Sequence, residues 1–125
     1  MSLAERMRED ALEAQKFSRK YLVLELDFSN ASIQELEDSH VSTLEYAIPG
    51  GLSDENVDRI SRIWGAYIGE ALRQACGGEW VESTGRLALK GERATVYPQE
   101  QVRLRLTKGD EHNLHAFYDQ SKRQL

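Results

Sequence analysis

Ser53-Asp54-Glu55-Asn56-Val57-Asp58-Arg59-Ile60-Ser61-Arg62-Ile63-Trp64-Gly65-Ala66-Tyr67-Ile68-Gly69-Glu70-Ala71-Leu72-Arg73-Gln74-Ala75-Cys76-Gly77-Gly78-Glu79-Trp80 is the most strongly patterned stretch of the chain. Ser53 is placed to cap a helix, and Asp54, Glu55 and Asp58 set carboxylates near its positive end. Val57, Ile60, Trp64, Tyr67, Ala71 and Ala75 recur at helical spacing, and Ile63, Ile68 and Leu72 widen that face. The opposite side carries Gly65 and Gly69, four apart. Each glycine costs about 1 kcal/mol against alanine in a helix interior. Two on one stripe predict that another backbone packs there, so the helix is expected to be buried on both sides. Gly77 is expected to stop it as a left-handed residue.

Downstream the period changes to two. Residues 79–83, 86–90 and 93–97 read as short strands, with turns at Thr84-Gly85 and Gly91-Glu92. Trp80, Leu87, Leu89 and Val96, with Ala94, are expected to face the helix. Pro98 ends the sheet and can open a helix. Val102-Arg103-Leu104-Arg105-Leu106 also alternates as a fourth strand would; helix is the preferred reading, closed by Gly109. Asp110 would cap a last helix bearing Leu114, Phe117 and Tyr118, with residues 119–125 a frayed tail.

Upstream, Ile33, Leu36, Ser39 or His40, Val41 and Leu44 predict a short amphipathic helix with Ser32 and Glu35 as its capping box. Pro49-Gly50-Gly51 breaks it. Leu22, Leu24, Leu26 and Phe28 alternate as in a strand; the competing reading carries the first helix to about Leu24 and leaves a connector. Residues 4–20 read as a helix with a narrow stripe of Ala4, Met7, Ala11, Ala14 and Phe17. Its small side chains place it on the periphery. The expected fold is α+β: one domain of 125 residues, a buried central helix on an antiparallel meander of three strands (four if 102–106 is a strand), and flanking terminal helices.

The composition bounds function. A net charge of −5 argues against nucleic acid as the main partner, because phosphate binding needs a basic footprint. Residues 21–58 contain no Lys or Arg but nine acids: Glu25, Asp27, Glu35, Glu37, Asp38, Glu45, Asp54, Glu55 and Asp58. The one cysteine, Cys76, cannot form an internal disulfide, which points to a reducing, cytoplasmic setting. No apolar run approaches a membrane span. The early charges Glu5, Arg6, Arg8, Glu9 and Asp10 are unlike a secretory leader.

Few residues suggest chemistry. Cys76, at a helix C-terminus, is read as a packed thiol. His112 and His115, three apart on the last helix, could join Asp110 or Asp119 in a weak metal site. Two surface histidines are the simpler reading, so no metal or cofactor is expected. Glu70, at the edge of the apolar face beside aromatic residues, is the most informative carboxylate. It either serves in ligand contact or catalysis, or is neutralised by an arginine such as Arg86, Arg103 or Arg105 or by backbone amides at a loop. Trp80, Arg103 and Arg105 complete a candidate ligand-binding set around it.

Trp64-Gly65-Ala66-Tyr67-Ile68-Gly69-Glu70 followed by Gly77-Gly78-Glu79-Trp80 resembles a group of small uncharacterised bacterial proteins with a G-A-Y-L-G-E helix, a G-G-x-W turn, a short sheet and a proline-led helix. Leu26-Asp27-Phe28-Ser29 with Leu36, and Pro98 with Val102 and Arg105, fit the same pattern over roughly residues 26–118. The resemblance implies a bacterial source and this fold, and no catalytic residues. Two functions remain: a non-catalytic module that binds another protein, as an immunity, adaptor or regulatory component does, or a small-ligand protein or minor enzyme with a cleft at Glu70.

Overall fold

The central helix of the computed structural model, α4 (Asp54–Cys76), lies between two other helices and a small sheet. The structure describes residues 1–125, with Ser83 as backbone only. Ser53 caps α4 by accepting from the Asn56 amide, and every residue from Ile63 to Leu72 is buried. On one side lies α1 (Leu3–Leu22); on another lies α5 (Pro98–Lys108). The glycine stripe explains how closely α4 is approached. A β-carbon on Gly65 would lie 2.4 Å from the Gln99 Cα, so a backbone packs there as expected. At Gly69 the neighbour is a side chain: a β-carbon would lie 2.1 Å from the Trp80 ring. Gly77 has positive φ, but its ψ of −163° is extended rather than left-handed helical, which turns the chain straight into the sheet.

The sheet is a meander of β1 (Glu79–Ser83), β2 (Arg86–Lys90) and β3 (Thr95–Val96) in the order β1-β2-β3, all antiparallel. Thr84 and Gly85 both take positive φ, the conformation a two-residue hairpin needs. Trp80, Leu89 and Val96 are buried and Leu87 half-buried, as their alternation implies. Residues 102–106 are helical within α5, so the sheet has three strands. Arg103 and Arg105 go to separate acids from this helix, Arg103 to the exposed Asp58 and Arg105 to the buried Glu37.

The N-terminal helix contributes more to the core than its small side chains suggest. Met7, Ala11, Ala14 and Phe17 are all buried, and small residues let α1 lie close along α4. Ser2 caps α1, its hydroxyl accepting from the Glu5 amide and donating to the Glu5 carboxylate. Ser32 and Glu35 do not form a capping box: Ser29 caps α2 (Asn30–Glu35), and Ser32 is buried.

Residues 23–28 are not a strand. Val23 caps α1 in the left-handed conformation, and a connector follows. Its alternation reports burial: Leu22, Leu24 and Leu26 are buried while Val23, Glu25 and Asp27 are exposed. Side chains satisfy parts of its backbone. Gln15 donates to the Leu26 carbonyl at 2.7 Å, and the Phe28 amide donates to the Tyr67 hydroxyl at 2.7 Å. Tyr67 is within 2.6 Å of the Ser32 hydroxyl, which donates to the Ser29 carbonyl, and Phe28 stacks on the Tyr67 ring.

Beyond α2 the helical path widens into a π-helical turn, Leu36–His40, then tightens through a 3₁₀ turn, Val41–Thr43, into α3 (Leu44–Ala47). The apolar spacing demands this. Ile33 to Leu36 and Val41 to Leu44 are steps of three, but Leu36 to Val41 is a step of five, which a wider turn keeps on one face. After α5 comes a 3₁₀ turn, Asp110–His112, and then α6 (Leu114–Gln124) capped by Asn113. The tail expected to fray from residue 119 instead continues α6. Ser121 is buried, and Leu125 packs under Gly91.

Candidate functional site

Glu70 and Trp80 come together. Glu70 is 3% exposed and takes three hydrogen bonds: from Trp80 Nε1 at 2.9 Å, from Arg73 Nε at 2.8 Å and from Arg73 Nη2 at 3.3 Å. The local sequence explains the geometry. Arg73 is one turn further along the same helix and reaches back. Gly69 lets the indole cross α4, and Gly77-Gly78 returns the chain sharply enough to put Trp80 there. The neutralising arginine is therefore Arg73, and none of Arg86, Arg103 or Arg105. Those three are used elsewhere: Arg86 pairs with Glu100 and lies over the Tyr97 ring, and Arg103 pairs with Asp58 at the surface.

Arg105 leads to a second buried carboxylate, Glu37. Arg105 Nε contacts both Glu37 oxygens, at 3.0 and 2.9 Å, and the Leu114 amide donates to Glu37 Oε1 at 2.7 Å. The π-helical turn points Glu37 inward, and α6 presents its first free amide and positive end. One carboxylate thus ties three elements together. Its sequence signal was thin: Glu37 reads as one more acid in the Lys- and Arg-free segment. Only its place inside the step of five between Leu36 and Val41 sets it apart.

The histidines do not share a helix face, because His112 is in the 3₁₀ turn and His115 in α6. His115 Nε2 meets Asn30 Oδ1 at 2.8 Å, and Asn30 Nδ2 donates to Asp119 Oδ1 at 3.1 Å, so this cluster joins α6 to the start of α2. Among the described residues no three His, Cys, Asp or Glu side chains converge as metal ligands would. Cys76 is exposed rather than packed, since the last turn of α4 projects past the core.

The surface is more informative than the buried carboxylates. A groove of about 670 Å³ runs along the outer side of α1, lined by residues that include Glu9, Leu12, Glu13, Lys16 and Arg59, away from Glu70. On the acidic segment, Tyr46 is 89% exposed. Glu35, Asp38, Glu45, Asp54, Glu55 and Asp58 are exposed as well, while Glu37 alone of the nine acids is buried. Asp27 is held below the usual carboxylate range by hydrogen bonds from the Ser29 hydroxyl and amide. Among the described residues no helix is long and apolar enough to cross a membrane. Comparisons with protein-family models, with curated proteins and with solved structures find no match.

Proposed function

We propose that the chain is a non-catalytic module that binds another protein, of the immunity, adaptor or regulatory kind, through its acidic surface around Tyr46. The observation that carries this reading is the 89% exposure of Tyr46 within a segment of exposed acids that has no Lys or Arg. Exposed aromatic side chains supply large contact area at small entropic cost, and tyrosine is enriched among the residues that dominate interfaces. A field of one sign steers a partner of the other sign, so the expected partner presents a basic face. The competing reading, a ligand cleft at Glu70 and Trp80, has less support. The Glu70 oxygens already receive three donors from within the chain.

Affinity capture from the source cell tests this. The wild-type chain should retain one stoichiometric protein with a basic surface, and Tyr46→Ala and Asp38→Lys should each release it while melting as the wild type does. Equal retention by both variants, or retention of a small molecule that Glu70→Gln releases, would overturn the reading.

A further inference from the structure

The groove along α1 is lined by charges in an order that complements itself. On the outer face lie Glu9, Leu12, Glu13, Lys16 and Lys20, with Phe17 and Arg59 at the edge. The acids are in the first half of the face and the bases in the second. They mirror about the point midway between Ala14 and Gln15: Glu13 and Lys16 are the inner pair, Glu9 and Lys20 the outer pair. Residues 9, 13, 16 and 20 fall within about one side of a helix of 3.6 residues per turn.

From this order we infer that the partner of the groove is a second copy of the same chain, with the two α1 helices packed antiparallel about a two-fold axis. A two-fold interface uses one patch twice, so residue i meets residue j and j meets i. In that arrangement Glu9 faces Lys20 of the second copy and Glu13 faces its Lys16, and the two-fold axis repeats both pairs. A parallel arrangement would set acid on acid and base on base. Leu12, 53% exposed on a helix whose other large apolar side chains are mostly covered, sits beside the axis, where its counterpart and the aliphatic stem of Lys16 would cover it. Glu9 and Lys16 join no ion pair within the chain among the described residues, so both are free for the contact. Glu13 already holds Arg59 at 2.9 Å, which fixes its carboxylate at the edge of the groove.

This interface uses residues distinct from Tyr46 and its acidic neighbours, so it stands or falls independently of the partner proposed above. Sedimentation equilibrium over a wide concentration series should show a reversible monomer–dimer equilibrium that weakens as salt is raised, because exposed pairs are screened. Leu12→Glu, at an exposed position, should raise the dissociation constant about tenfold or more without changing the melting temperature. The pair E9K/E13K and the pair K16E/K20E should each abolish self-association, and mixing the two should restore dimers containing one of each. Should the loss of the Glu13–Arg59 pair unfold E9K/E13K, E9K mixed with K20E repeats the test. A chain that is monomeric throughout, or a dimer indifferent to Leu12→Glu and to the charge reversals, would overturn the inference.

Discussion

At the scale of the residue, Tyr67 ties the connector after α1 to the core. Its hydroxyl is the acceptor for the Phe28 amide and meets the Ser32 hydroxyl inside the core. Burial pushes its pKa from 10.0 to about 12, because the charged phenolate would lose its water. A pKa raised on folding means the neutral form is the one the fold stabilises. This contribution is intact below pH 10.0 and is lost as the pH rises towards about 12. Denaturant titrations across that interval should show stability falling, and Tyr67→Phe should remove that component of the fall. At neutral pH the same variant should cost about 1 kcal/mol, since it takes the acceptor from the part-buried Phe28 amide. Glu37 supplies the second prediction. Arg105→Met would leave its carboxylate enclosed with only the Leu114 amide as donor, and removal of one partner of a buried pair costs about 3–5 kcal/mol. Arg103→Met, at the exposed Asp58 pair, should cost less than about 1 kcal/mol. The two arginines look equivalent in Val102-Arg103-Leu104-Arg105-Leu106; chemical denaturation of the two variants should separate them clearly.

At the scale of the element, α4 shows which features of a sequence carry geometry by themselves. Ser53 as cap, the apolar body and the Gly65–Gly69 stripe could all be read because each is a local pattern with one structural solution. The hairpin turn at Thr84-Gly85 and the limits of β1 and β2 followed for the same reason, whereas the strand expected over 93–97 shrinks to Thr95–Val96. Three features differ from their sequence reading. The alternation of Leu22, Leu24 and Leu26 reports which side chains are buried, and a connector tied down by Gln15 and Tyr67 buries them as well as a strand would. Arg73, one turn on along α4, is the local partner of Glu70, while the more distant Arg86, Arg103 and Arg105 are held against other acids. The π-helical turn was written in the five-residue step from Leu36 to Val41, but a helical wheel smooths that step away. The glycine stripe makes a comparative prediction. At Gly65 a methyl group would meet the Gln99 backbone, and at Gly69 it would meet the edge of the Trp80 ring. Overpacking costs about 1–3 kcal/mol, and more where the obstacle is backbone. Thermal melting should therefore find Gly65→Ala the more damaging of the two.

At the scale of the whole molecule, charge is sorted. Residues 21–58 carry acids and no Lys or Arg, with Tyr46 exposed among them, while arginines of α4 and α5 pair back onto Asp10, Glu13 and Asp58. Surface pairs of this kind fade in acid. Hydrogen bonds from Arg86 hold Glu100 below its ordinary value of 4.5, and Arg19 does the same for Glu25. A carboxylate depressed on folding contributes stability above its unfolded pKa, and that contribution is lost as the pH falls through its folded value. Asp10 acts in the opposite direction, because burial raises its pKa despite Arg62. Stability against pH should accordingly fall below about pH 4, and Glu100→Gln should flatten that limb slightly. The indole that crosses Gly69 has one more consequence. The chain has two tryptophans, and both are buried, Trp64 fully and Trp80 to all but 6%. Trp80 donates to a carboxylate and Trp64 Nε1 has no hydrogen-bond partner among the described residues, so the two fluorophores sense different fields. With Trp64→Phe, the emission of Trp80 alone becomes an optical gauge of whether the meander is seated on its helix.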